Sequence, residues 1–218
     1  MKRPAITFYL FLCSIFTFGQ SHFLGISGGT SWTKITSNFD VSNFNFRNSI
    51  SGGIVYEYQF KNNFQIGADL LYAQRGFKNK IQFTDEFGNP YIPITTIEQH
   101  YNYVSLPIKC GLRIGKRFSG FFNIGVVPSL LLKAEVTTSA IGNTPAQNND
   151  ISELVKKTDL AGLTEIGANF AINKEVLVFA SFVYQNSLTT YYNNSINSKN
   201  RQWGMTLSIG AKRTFLDK

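Results

Sequence analysis

Apolar and polar residues alternate one by one along most of this chain, and no stretch shows the three-to-four-residue spacing of an amphipathic helix. Eight alternating segments stand out, near 22–33, 49–60, 64–77, 101–114, 119–133, 158–172, 176–189 and 201–215. Within 50–60, 64–76, 102–114, 120–132, 160–172 and 176–188, the even positions include Ile54, Tyr56, Tyr58, Ile66, Leu70, Val104, Ile108, Cys110, Leu112 and Ile124, without one charge. The odd positions hold all the charges of those windows: Glu57, Asp69, Arg75, Lys109, Arg113 and Glu165. Random placement would segregate them this way roughly once in a hundred trials. Since successive side chains of a strand point to opposite faces, the pattern predicts eight strands with one charge-free face and one polar face. In the last segment the phase reverses, with Trp203, Met205, Leu207, Ile209 and Ala211 apolar and Gln202, Gly204, Thr206, Ser208, Gly210 and Lys212 opposite.

Connections after the second, fourth and sixth segments are short (Lys61 to Asn63, Gly115 to Phe118, Asn173 to Glu175). Those at 34–48, 78–100, 134–157 and 190–200 are long and rich in Asn, Ser and Thr. Strict alternation of short and long connections belongs to membrane barrels, where only one rim faces the outside. Volume then assigns the faces. An eight-stranded barrel is just wide enough for its own side chains or one small ligand. The even face is too bulky for that space, whereas the odd face, with Gly53, Gly67, Gly111, Gly125 and Gly167 between its charges, fits. The expected fold is therefore all-β, an eight-stranded antiparallel up-and-down transmembrane β-barrel. A closed barrel satisfies every backbone polar group in lipid, and a charge on its outer face near the midplane would cost roughly 2–4 kcal/mol. Interfacial rings are expected from Tyr58, Phe60, Phe64, Phe122 and Phe170 at the short-turn end and from Trp32, Tyr72, Tyr184 and Trp203 at the loop end. Pro107 and Pro128 cannot donate to the ladder and predict bulges.

With 218 residues, 16% charged and 15% aromatic, the chain is neither disordered nor a charged helical protein. Residues 1–19 read as a cleaved export signal: Lys2 and Arg3, an apolar run from Ala5 to Phe18, and small residues Thr17 and Gly19 before the cut. This leaves one domain, 20–218. Leu12 before Cys13 argues against lipidation. Cys13 and Cys110 give neither a disulfide in the mature chain nor a zinc site. The net charge of +8, or +6 without Lys2 and Arg3, is too small to imply nucleic acid. His22 and His100 form no metal site. His100 with Glu98 and Ser105 is the one hydrolase-like grouping, but parity turns His100 and Glu98 away from the face carrying Ser105. No catalytic, cofactor or metal residues are assigned, and the chain is read as not an enzyme.

These strands, and in particular Tyr101-Asn102-Tyr103-Val104-Ser105-Leu106-Pro107-Ile108-Lys109, resemble the small outer-membrane β-barrel proteins of Bacteroidetes, the PorT-like or porin-family barrels. The closing strand Trp203 to Phe215 is similar to a terminal assembly signal, although Leu216, Asp217 and Lys218 follow it. The resemblance implies the bacterial outer membrane as location, more than any activity. The expected role is a monomeric, non-enzymatic structural or interaction platform presenting long extracellular loops. Conduction of a small solute, or an accessory part in a secretion or gliding apparatus, are the alternatives. Expected partners are outer-membrane lipid and lipopolysaccharide, facing Lys78, Lys80, Lys156, Lys157, Lys199 and Arg201. Protein or glycan would meet loop aromatics Phe39, Phe44, Phe46 and Tyr191-Tyr192-Asn193-Asn194. Glu57, Asp69, Arg75, Lys109, Arg113 and Glu165 are expected to form a balanced, structural charge network in the lumen, with Glu57, Asp69 and Lys109 at similar heights.

Overall fold

The computed structural model describes residues 21–36, 44–60, 62–82, 85–88, 95–140, 145–190 and 200–216. The proposed signal at 1–19 lies outside them. No described residue is helical. The described residues form ten strands: β1 (Ser21–Thr36), β2 (Phe44–Gln59), β3 (Phe64–Ile81), β4 (Thr95–Ser105), β5 (Ile108–Gly115), β6 (Phe118–Thr138), β7 (Gln147–Asp150), β8 (Thr158–Ala171), β9 (Val176–Ser187) and β10 (Arg201–Leu216). β4 and β5 are two halves of one stave, because both pair with β3 and with β6. β1 pairs with β2 and with β10, which closes a ring of eight antiparallel staves. Among the described residues, β7 pairs only with the upper end of β6.

The short connections follow from local chemistry. Asn63 takes a left-handed φ of 65° in the β2–β3 turn, and Gly115, with φ 118°, closes β5 onto β6. In the β8–β9 turn, Asn173 Oδ1 accepts from the backbone N–H groups of Glu175 and Val176 at 2.8 and 2.7 Å. All three turns lie at the end where β1 begins and β10 ends.

The prolines act differently from the expected pair of bulges. The stave breaks at Leu106-Pro107, between β4 and β5. The backbone bonds on across the gap, with Leu106 N–H donating to Pro128 O and Asp69 N–H to Pro107 O, both at 2.9 Å. The register shift sits higher, where Asn102 pairs with Lys133 but Tyr103 with Leu131. Leu132 is the extra residue, so Leu132 and Lys133 both lie outward between buried Leu131 and Ala134. A second irregularity lies between Phe46 and Ser51 of β2. Both are near the loop end, where the strands run several residues past their expected limits. Phase changes of this kind erase the two-residue period from the sequence.

Candidate functional site: the charged bore

The inward residues meet across a bore so narrow that large side chains lie over glycines of neighbouring strands. Lys109 on β5 has Gly67 of β3 beside it, and a Cβ on Gly67 would stand 3.1 Å from Lys109 Cε. Thus accommodated, the buried ammonium donates to Asp69 Oδ2 at 2.8 Å and reaches Glu165 Oε2 at 3.1 Å. Glu165 also accepts from Asn123 Nδ2, and Asn123 Oδ1 accepts from Gln65 Nε2, both at 2.8 Å. One polar chain thereby links β3, β5, β6 and β8.

Glu57 does not join Lys109. Its partner is Lys212, at 2.5 Å. Gly25 of β1 opposes Lys212, and a Cβ there would come within 2.6 Å of the lysine Cβ, so glycine opens the way from β10 toward β2. The Lys212 ammonium also faces the rings of Phe179, Phe121 and Phe23 at 5.0, 5.6 and 5.7 Å. Arg113 finds polar acceptors and a ring: Gln59 Oε1 and Ser119 Oγ, each at 3.1 Å, and Phe23 at 4.8 Å. Arg75 stands nearer the loops. It donates to Asp159 Oδ2 at 2.8 Å, to Ser129 at 3.0 Å and to Ser105 at 3.2 Å, with its guanidinium over Tyr103.

Of the six residues singled out in the sequence, the fold therefore brings Lys109, Asp69 and Glu165 into contact and distributes Glu57, Arg75 and Arg113 to other partners. Lys212 and Asp159 were missing from that set. Asp159 lies one position outside the window used for the period, and Lys212 sits in the strand of reversed phase. Its place opposite Leu207 and Ile209 was the signal that could have found it. Ser105 Oγ is engaged by Arg75 and Ser129, whereas His100 Nδ1 lies 2.5 Å from Arg47 Nη2 and its Nε2 is 3.8 Å from Glu98. Ser105 and His100 thus belong to separate sets of partners.

Outside the staves, the charge-free face exposes Leu24, Ile26, Ile54, Leu70, Ile124, Ile166 and Ile209. Cys110 shares this face, paired with Ile66 and Ile124. A closed antiparallel sheet with an apolar outside and a charged inside suits lipid, and the family profile agrees: one described as outer membrane protein β-barrel domain matches residues 18–216. The chain belongs to this family. It is an outer-membrane protein. Among solved structures, Neisserial surface protein A is similar at 12% identity over 91% of this chain and 100% of its own, with a TM-score of 0.49. Ail of Yersinia pestis, in complex with the heparin analogue sucrose octasulfate, is similar at 15% identity over 89% and 99%, with a TM-score of 0.42. OprG of Pseudomonas aeruginosa is similar at 12% identity over 91% and 97%, with a TM-score of 0.43. No curated protein matches the chain.

In this outer-membrane barrel, rings gather at both ends of the lipid face. Tyr58 packs between His22 and Phe60 near the short turns, at 4.9 and 4.7 Å. Trp203 meets Phe46 at 5.2 Å and Tyr184 at 6.1 Å toward the loops. Phe44 and Phe46 belong to β2 and not to a free loop, with Phe44 stacked edge-on against Phe77 at 4.9 Å. Phe39, Tyr191 to Asn194 and Lys199 lie outside the described residues. At the loop end the bore is mixed, with Thr33, Arg47, Ser49 and Thr95 buried beside apolar residues. Ile35, Phe77, Tyr101, Tyr103, Leu131, Ala134 and Val155 form a buried apolar cluster there, with Val155 folded in from the connection that was read as exposed loop. Opposite it, the outer rim is charged: Lys78 pairs with Glu98 and Lys133 with Glu135, each at 2.7 Å. The bond from Lys133 holds the Glu135 carboxyl below its ordinary range.

Proposed function

We propose that the protein is a monomeric, non-enzymatic platform that keeps its bore closed and presents its long connections to the outside. The observation that carries this reading is Lys109, held between Asp69 and Glu165 on two other staves at 2.8 and 3.1 Å, with Glu57 and Lys212 paired in the same bore. Fixed side chains across so narrow a barrel leave no wide path for ions. Rim lysines such as Lys78 and Lys80, together with Lys34, whose ammonium lies over Phe46 and Trp203 at 4.9 and 5.0 Å, suit lipopolysaccharide phosphates at the membrane boundary. The connections would serve protein or glycan contact, and a PorT-like part in a secretion apparatus is compatible with the same architecture. Residues 1–19 would direct export and be removed.

Planar-bilayer recording of the purified barrel tests the closed bore. The expected result is little ion conductance. A steady large conductance would overturn the reading and give first place to solute transport. Mild detergent extraction followed by identification of co-purifying proteins tests the platform role, which stable recovery of the barrel alone, across detergents and growth conditions, would contradict.

A further inference from the structure

The short-turn end of the barrel opens into a basin of about 520 Å³, with a wall drawn from β1, β2, β5, β9, β10 and the turns between staves, so that it lies inside the ring. Four cations stand on this wall: Arg113 of β5, Lys116 and Arg117 of the β5–β6 turn, and Lys174 of the β8–β9 turn. No described carboxylate lines it. Glu175, next to Lys174, is held by Arg213 at 2.8 Å, and Glu57, deeper in the bore, is held by Lys212. Lys116, Arg117 and Lys174 are exposed and have no carboxylate partner among the described residues. The balance of charge inside the bore therefore does not extend to its mouth, which keeps the positive charges of these three side chains.

Arg113 makes the basin more than a solvated rim. It is 4% exposed, with its guanidinium against the Phe23 ring at 4.8 Å. Its Nε and Nη1 donate to Ser119 and Gln59, each at 3.1 Å, while Nη2 has no partner among the described residues. Unlike Arg47 Nε, which is unpartnered and sealed, Nη2 keeps accessible surface where Arg113 forms the basin wall. Two anchored nitrogens hold the third in place, so it is a fixed, charged donor for an anionic oxygen.

The basin also has apolar surface, from Phe23 and Leu177 within and exposed Ile172 at the lip. An inorganic anion would leave that surface in water. A lipid keeps its acyl chains outside the staves, whereas the basin is entered from the aqueous side, along the bore. A peptide supplies both parts, carboxylates for the cations and apolar side chains for Phe23, Leu177 and Ile172, and the volume suits a few residues. Short turns of such barrels face the periplasm. We propose that this mouth docks a short acidic segment of a periplasmic protein, in which carboxylates accompany apolar side chains and one carboxylate accepts from Arg113 Nη2. The site goes beyond the platform reading, which concerns the opposite rim, and stands or falls apart from it. The exposed cations chiefly speed the encounter, and the buried Arg113 sets its lifetime.

The test uses the purified barrel in zwitterionic detergent and a fluorescent peptide of about five residues, blocked at both ends, in which aspartate alternates with leucine. Fluorescence anisotropy should show saturable binding that weakens with added salt. Affinity should fall at least about tenfold in Lys116→Gln/Lys174→Gln and in Arg113→Met, and stay unchanged in the loop-end pair Lys78→Gln/Lys80→Gln. Asparagine in place of aspartate in the peptide should abolish binding, and serine in place of leucine should weaken it. Absence of binding, equal binding of either altered peptide, equal binding by the Lys116 and Lys174 variant, or loss in the loop-end pair would each overturn the proposal. Displacement of the peptide by inorganic phosphate at equal concentration would assign the basin to a simple anion, and displacement by phosphatidylglycerol in mixed micelles would assign it to lipid; both overturn it as well. Should Arg113→Met fail to give the folded, heat-shifted band on gels, the Lys116 and Lys174 variant and the peptide series decide alone.

Discussion

The lower and upper parts of this barrel fill the same closed sheet with different chemistry. Where the staves expose Ile54, Leu70 and Ile124, the interior is built from Glu57, Asp69, Lys109, Glu165 and Lys212. Toward the loops the outer face carries Lys78, Lys133 and Glu135, and the interior adds apolar Phe77, Tyr101, Leu131 and Ala134 beside buried Thr33 and Arg47. The surrounding solvent accounts for the difference. Against lipid, the outer face must be apolar and the polar residues are left to the bore, where burial is tolerable only with partners. Above the lipid, water takes the outer face and apolar side chains gather within, as in a soluble barrel. The extra residue at Leu132 lies near this change, in the strand that turns from Ile124 and Leu130 outward to Lys133 and Glu135.

Breaking the ion pairs should have the largest effect. Replacing Lys109 by Met leaves Asp69 and Glu165 buried without their cation, and removal of one partner from such a site costs about 3–5 kcal/mol. Denaturant unfolding followed by the gel shift of the unboiled protein should show that loss, whereas Lys80→Met, exposed near the loops, should stay within about 0.5 kcal/mol. Equal stability of the two variants would mean that the bore is wet enough to screen the carboxylates.

Phe77→Ala removes a large ring from the apolar cluster, at a local cost of about 3 kcal/mol. Hydrogen exchange should quicken in the upper parts of β3, β4 and β6 and leave β5 and the lower part of β8 protected. Uniformly faster exchange would show that the two parts unfold as one unit. A smaller loss, about 1–2 kcal/mol, is expected for Asp69→Asn, because Lys109 keeps Glu165 at 3.1 Å and loses only one charged acceptor. If Asp69→Asn cost as much as Lys109→Met, the stabilisation would reside in the Asp69 pair alone.

Cys110 supplies the mildest test. Set between Ile108 and Leu112 on the lipid face, it should resist a membrane-impermeant maleimide in the folded protein, with no change in stability. Rapid labelling would place β5 one residue out of register, since a slip of one sends every side chain to the opposite face.

The two-residue period, the uncharged even face and the alternating connection lengths were enough to specify eight antiparallel staves, their faces and the membrane around them. These features are local, and lipid imposes them on every stave alike, so each strand carries the pattern by itself. The partners of the inward charges were not legible in the same way. Parity gave Glu57 and Lys109 a common face and similar heights, yet Glu57 pairs with Lys212 because Gly25 opens that path while Lys109 is claimed by Asp69 and Glu165. Such choices depend on strand order around the ring, on tilt, and on which neighbouring residue is small enough to be crossed. The upper barrel was hidden for a related reason: bulges and a change of solvent reverse the pattern there, so 134–157 read as loop although it contains the end of β6, β7 and the inward Val155. The sequence by itself determined how each strand meets lipid, because that is a property of one strand in one solvent; which charges meet, and where the bore gains apolar side chains, was decided by closure of the sheet, which alone brings side chains of distant strands within reach.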